Sequence, residues 1–448
     1  MVSGKKSEQV SVPDKGTTII AKVKPSLKER GNNGARRKEY FNLETCHHDI
    51  YPDAAEIKVE EGKKIRTTDC IRYEFIPPRF IKHIYHQHYY ACKGTVYAGS
   101  LPAVPLLNSN YDASFIAGIL QLRYIYSMPV ERIIKLFAEH GFEMNKATAH
   151  GLIKKAAGLF DLVEDVLKET VLSDNYLSMD ESYYTVLTSD TNNSSGKSTA
   201  KGYIWAALAN HLKLVHFFYE NGSRSRKVLT GYLREDYRGA IQSDGLGNYK
   251  IIEKEAYPDA IRLSCFQHCK RKFLNITGNK DAEKIVRIIN RLYQNEHRIP
   301  PDWTACQILD YRNKYAPPIL KELKEELINI KNKKSTLPKS ELSKAINYTL
   351  NEYDALCNYI RSADYAPDNN AIERLMRYIS LSRRNSLFCG SHQGAKRAAL
   401  IYSLACSCRL NNINSFEYFK DLLTKLIDIN PNTDHETIRN LLPHKWQR

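Results

Sequence analysis

The sequence predicts a multi-domain α+β chain organised round an α/β core that carries a helical insertion. Three observations support this. From Asn175 the apolar period is two, broken by one amphipathic helix; residues 276–364 switch to a charged helical pattern; and a separate helical pair precedes the strands. At 448 residues the chain is too long for one ordinary core.

Residues 1–42 are rich in Lys, Arg, Gly, Asn and Ser with little apolar periodicity, and read as a flexible basic arm. Residues 43–107 alternate short β-like runs with Pro and Gly, as in YEFIPPRFIKHIYHQHYYAC, and predict a small irregular β module. Cys46, His47, His48, Cys70, His86, His88 and Cys92 are metal-ligand types, but they lack the paired spacing of a structural zinc site, and ordinary buried Cys and surface His account for them better. No CxxC pair occurs among the ten cysteines, so reduced thiols are expected rather than disulfides.

Residues 108–172 read as a helical domain with helix-turn-helix punctuation. A helix opening near Pro129 places Val130, Ile133, Ile134 and Phe137 on one face, a turn follows at 140–144, and Asn145 caps a second helix. That second helix carries Lys146, Thr148, His150, Lys154 and Lys155, which suit a major groove, although plain αα-hairpins are common.

Residues 173–275 supply the first part of the core. YLSMDESYYTVL, GYIWAALAN and LVHFFYE read as strands, with NHLK as a hairpin turn; SRSRKVLTGYLRE reads as a helix; GAIQS is the next strand, ending at Asp244-Gly245; and IRLSCFQHCKRKF adds a βα unit. The order β-β-β-α-β opens a ribonuclease-H-like fold. After the insertion, DNNAIERLMR starts a helix within 365–390 that returns to the core, and residues 391–448 form a C-terminal helical region.

Lys and Arg number 66 against 50 Asp and Glu, a net charge of +16 that favours an anionic partner, most often nucleic acid. The N-terminus has no apolar stretch of the signal-peptide kind and no run approaches the roughly 18 residues of a membrane span, so a cytoplasmic protein with no membrane partner is expected.

Within the first strand the pleat sends Asp180 and Glu181 to opposite faces, so one of them is a spectator, and the polar neighbours Ser178 and Ser182 favour Asp180 as the functional residue. Asp244 ends the strand expected beside it, although Asp-Gly is also a turn signal. Glu373 lies three residues after Asn370, the pattern of a capping-box variant, and can pair with Arg377 one turn on. Together the three carboxylates form a hard-oxygen set suited to Mg²⁺, two ions of which assist in-line displacement at phosphorus. Arg374, Arg377, Arg383 and Arg384 would offset the approaching phosphates.

The sequence resembles the IS66 family of transposases from roughly Leu43 to the end. The residues that carry the resemblance are MDES around Asp180, QSDGLGNY around Asp244, SCFQHCKRKF at 264–273, the long block YAPDNNAIERLMRYISLSRRNSLFCGSHQGAKRAALIYSL at 365–404, and the terminal LLPHKWQR. The resemblance implies a DDE transposase with Asp180, Asp244 and Glu373 as its triad, two Mg²⁺ ions, and double-stranded DNA (element ends and target) as partner. It also implies a homo-oligomer on DNA, in a bacterial nucleoid setting, with accessory proteins of the element as further partners. Cys265 and His268 match a CxxH signature that follows the second Asp in many DDE transposases and stand as supporting residues; Lys396 and Arg397 of the long block join the DNA-binding candidates. Two departures stand out. KKSE lies at 5–8, where the family usually has a heptad-bearing helix ahead of such a segment, so an oligomerisation coiled coil is expected to be missing or encoded elsewhere. Cys92-Lys-Gly-Thr95 stands where the family's zinc-finger-like module has a second CxxC, which counts against zinc.

Overall fold

The computed structural model describes residues 79–92, 95–98, 101–107, 109–187, 199–245, 247–250, 257–430 and 432–447. The basic arm and Cys46, His47, His48 and Cys70 lie outside the described residues. A short antiparallel hairpin, β1 (Tyr89–Cys92) and β2 (Thr95–Ala98), pairs Tyr89 with Ala98 within the stretch expected to be a small β module. His86 and His88 beside it are exposed.

Helix α1 (Ala113–Leu120) runs on through a π-helical turn at Gln121–Ile125, and α2 (Val130–Glu139) and α3 (Lys146–Leu172) follow. The expected punctuation is present. Pro129 precedes α2, which buries Val130, Ile133 and Phe137, and Asn145 caps α3 by accepting the Thr148 N–H at 2.8 Å.

The sheet comprises β3 (Tyr176–Leu187), β4 (Thr199–Ala209), β5 (Leu214–Phe218), β6 (Ala240–Gln242) and β7 (Ile261–Leu263), with α4 (Arg226–Tyr232) between β5 and β6. Its order is β5-β4-β3-β6-β7; the first three strands are antiparallel, and β6 and β7 join parallel. Central β3 is therefore buried on both faces over Tyr176–Met179. Its pairing with β6 stops at Ser178–Gln242, so from Asp180 onward that flank of β3 is open until Cys389 bridges to Val186.

Helices α5 (Phe266–Leu274), α6 (Lys280–His297), α7 (Ala305–Lys331), α8 (Glu341–Asn351) and α9 (Tyr353–Cys357) bury their own core of Phe273, Ile285, Ile289, Leu323, Leu327 and Ile346. The charged pattern of 276–364 thus hides an amphipathic repeat rather than a solvated linker. The chain then returns through α10 (Asn370–Ser386), α11 (His392–Leu410), α12 (Ser415–Lys425) and α13 (His435–Arg439) to the main core, shared by the sheet, α1–α3 and α10–α12. Ser403 and Ser407, one turn apart on α11, accept the N–H groups of Phe217 (2.8 Å) and Val215 (3.0 Å), which covers the edge of β5. No helix among the described residues is long and apolar enough to cross a membrane.

Candidate acidic site

The register of β3 and β6 aligns the two aspartates. Pairing advances from Tyr176–Ala240 through Leu177–Ile241 to Ser178–Gln242, and two further steps bring Asp180 level with Asp244. Because the pleat returns to the same face every second residue, both continue the face of Ser178 and Gln242. The Gln242–Leu263 pair puts Cys265 level with them. The Asp180 carboxyl is pushed well above the usual carboxylate range, by burial first and then by the negative charges of Glu181 and Asp244, with a smaller push from Glu373. Its Oδ1 accepts the Glu181 N–H at 2.9 Å.

Glu181, which the pleat sends to the opposite face, is engaged in the fold. Its side chain is 2% exposed, its Oε1 accepts from Arg224 Nε (3.0 Å) and Nη2 (2.7 Å), and its Oε2 accepts from the Tyr249 hydroxyl (3.0 Å). Burial raises its pKa, the Arg224 hydrogen bonds oppose that shift, and the Asp244 charge adds to it. Tyr249, fully buried five residues after Asp244, ties the segment that follows the second aspartate back to β3. Neither Arg224 nor Tyr249 stood out in the sequence; only the tyrosine of QSDGLGNY hinted at such a role.

The Asp244-Gly245 turn is held by Tyr348 of α8, whose hydroxyl accepts the Gly245 N–H at 3.1 Å. A Cβ at position 245 would lie 2.4 Å from that oxygen, so a side chain there has to displace Tyr348.

The start of α10 differs from the expected capping box. The N-cap is Asn369, without a side-chain cap bond, and Asn370 is the first helical residue, its N–H donating to Asp368 Oδ1 at 3.1 Å. Asn369 is 1% exposed and makes tertiary bonds instead: its Nδ2 donates to the Met179 carbonyl (2.9 Å) and its N–H to Cys265 Sγ (3.3 Å). These two bonds fasten the helix to β3 at the residue before Asp180 and to the segment just past β7. Glu373, in the first turn, faces away from the cap and from Arg377. Its Oε1 is 3.6 Å from His268 Nδ1 and its Oε2 is 3.7 Å from Arg271 Nη2, both on α5. Oε1 and His268 Nδ1 are buried without a hydrogen-bond partner. Cys265, His268 and Glu373 form the one His/Cys/acidic group among the described residues whose ligand atoms all lie within 4.8 Å. Burial pushes the Cys265 thiol up to about 12.

The basic candidates fall in two places. On α3, Lys154 and Lys155 are exposed, Lys146 is paired with Glu131, and the Thr148 hydroxyl donates to Asn145 Oδ1 at 2.9 Å. On α10, Arg374, Arg377 and Arg384 are exposed on the helix that bears Glu373, while Arg383 donates through Nη1 to Ser182 Oγ (2.9 Å) and the Tyr183 carbonyl (2.7 Å). On α11, Lys396 is exposed, 3.6 Å from Glu164, and Arg397 is half-buried.

Residues 108–397, more than half of the chain, match the family described as Transposase IS66 family. The chain is also similar to three proteins of Sinorhizobium fredii (strain NBRC 101917 / NGR234). It is 26% identical to uncharacterized protein y4jD over 371 residues, covering 80% of this chain and 70% of that one. It is 24% identical to y4qI (82% and 69% covered) and 24% identical to y4hP (75% and 62% covered). Among solved structures, the Drosophila P element transposase strand transfer complex aligns with 66% of this chain and 92% of that one at 12% identity, but its TM-score of 0.35 carries no argument.

Proposed function

The chain belongs to the IS66 family of transposases, and from that premise we propose that it cuts DNA at the ends of its mobile element and joins the freed 3′-hydroxyl to target DNA. In this reading the sheet is the core of a ribonuclease-H-like fold, and Asp180, Asp244 and Glu373 are the DDE triad. The observation that carries it is electrostatic. Asp180 and Asp244 each lie two residues past the last β3–β6 pair, and the Asp180 carboxyl is pushed up by burial first, then by the charges of Glu181 and Asp244, with a smaller push from Glu373. A divalent cation relieves that repulsion, and Glu373 Oε1, 3.6 Å from His268 Nδ1 and without a hydrogen-bond partner, is the oxygen donor that would complete the set.

The donor set fits Mg²⁺, with Asp180, Asp244 and Glu373 as ligands; bound there, the ions supply Lewis-acid activation of the attacking oxygen and neutralise charge at the leaving one. The Cys265–His268–Glu373 set suits zinc less well, because a thiol pushed up to about 12 is a poor source of thiolate. His268 and Arg271 hold the Glu373 carboxylate from the α5 side, Asn369 fixes the helix that presents it, and the exposed arginines of α10 meet the phosphate backbone that has to approach a carboxylate cluster. Lys154 and Lys155 of α3 would contact DNA as part of the helix-turn-helix-like domain, in an oligomer assembled on the element ends, within the nucleoid and with accessory proteins of the element.

The test uses labelled duplexes carrying the element's own ends, both intact and already cut. Mg²⁺-dependent cleavage of the first and joining of the second are expected, and both vanish in Glu373→Gln while DNA binding persists. Cleavage without joining identifies a nuclease instead; binding without either reaction identifies a DNA-binding remnant; unchanged cleavage in Glu373→Gln refutes the triad.

A further inference from the structure

Beside the acidic site, on the face of β3 and β4 that carries Glu181, lies a cluster of rings and cations. Tyr183 of β3 and Tyr203 of β4 stand directly opposite one another. Arg383 stacks on Tyr183 with its guanidinium carbon 3.5 Å from the ring centroid, and Lys201 Nζ is 4.9 Å from the Tyr183 centroid and 5.7 Å from that of Tyr203. Arg224 lies 4.9 Å from the Tyr203 centroid. Tyr183 is 41% exposed and Lys201 is exposed, so the cluster faces solvent.

The charges in this cluster are unequal. Arg224 is neutralised by Glu181, whereas no carboxylate among the described residues pairs with Lys201 or Arg383. Arg383 spends Nη1 on the Ser182 hydroxyl and the Tyr183 carbonyl, which orients its fork and leaves its other donors for an acceptor from outside. Tyr183 lies three residues past Asp180, an odd offset that places its ring on the other face of the pleat, the face of Glu181.

We propose that Tyr183 and Tyr203 form an aromatic frame that fixes Lys201 and Arg383 as a phosphate-binding row, which grips the DNA backbone outside the acidic site. The proposal rests on the DNA-processing reading above. It assigns the row to phosphates rather than bases because each ring already carries two cations, which compete with base stacking.

The test is fluorescence anisotropy of the full chain on a labelled duplex of arbitrary sequence, read across salt from about 50 to about 200 mM. Each lost phosphate contact lowers the slope of log affinity against log salt by about 0.9, so Lys201→Gln/Arg383→Gln lowers it by about 1.8; over that fourfold range the variant loses about 12-fold less affinity than wild type. Lys201→Gln alone, a change at an exposed residue with no fold role, lowers the slope by about 0.9. Lys321→Gln, far off on α7 and paired only with Glu325 at 3.9 Å, leaves it unchanged. Tyr183→Phe retains wild-type affinity and Tyr183→Leu weakens it. An unchanged slope in the double variant, with wild type binding normally, overturns the row and leaves the DNA reading standing; a wild-type chain that does not bind DNA overturns both. If Tyr183→Leu instead abolishes a preference for single-stranded over duplex oligonucleotide at unchanged slope, the rings stack bases and the proposal fails.

Discussion

Replacing Tyr249 by Phe isolates the link between the two aspartate-bearing segments. The Tyr249 ring is fully buried, so Phe keeps the apolar contacts and opens no cavity; only the hydroxyl is lost. That hydroxyl donates at 3.0 Å to Glu181 Oε2, on a side chain only 2% exposed, while the two Arg224 bonds fall on Oε1. The variant therefore strips a buried carboxylate oxygen of its donor, a loss of about 1.5–3 kcal/mol for a hydrogen bond to a charged group. Urea unfolding with unchanged m should show this as a lowered midpoint. The same bond anchors the segment after Asp244, so turnover on pre-cut ends should fall, by up to about 100-fold if the carboxylate moves by about 1 Å, while DNA affinity stays put. A midpoint within about 0.5 kcal/mol of wild type, with normal turnover, would refute the idea that Glu181 and Tyr249 hold the site together.

Two further outcomes follow from the same geometry. Because the folded Asp180 carboxyl is raised, the native state holds its proton to higher pH than the unfolded chain does; in the absence of divalent cations, stability therefore falls as pH rises from the ordinary Asp value of 3.8 up through the raised one. Asp180→Asn removes that contribution, so thermal melts should show a flatter pH dependence and a more stable metal-free protein at neutral pH; Mg²⁺ should stabilise wild type and leave the variant unmoved. Gly245→Ala drives a Cβ into Tyr348 and should cost about 1–3 kcal/mol, the range for overpacking, with part of the loss recovered when Tyr348→Ala is added in a double-mutant cycle.

Local chemistry made much of the fold legible in the sequence. YLSMDESYYTVL forms β3 over its full length, because its tyrosines, Thr185 and Val186 favour an extended backbone, and Asn145 caps α3 as its place ahead of an apolar stripe predicts. The placement of the strand that leads to Asp244 beside the strand of Asp180 also followed from strand order alone. Long-range partners were not legible. Asn369 and Asn370 are indistinguishable as caps until Met179 and Cys265 claim the Asn369 side chain and amide, and the neighbours of Glu373 come from α5, about a hundred residues earlier in the chain. The partners of Glu181 were not legible either, because Arg224 and Tyr249 lie 43 and 68 residues further along the chain.

The central claim, that three carboxylates form one cation site, is tested most directly by anomalous diffraction from a crystal of the full chain soaked in Mn²⁺. Anomalous density bounded by Asp180, Asp244 and Glu373 is expected, with the Glu373 carboxylate drawn from His268 towards the aspartates. Density at Cys265, His268 and Glu373 alone, or none near Asp180 at saturating Mn²⁺, would contradict it.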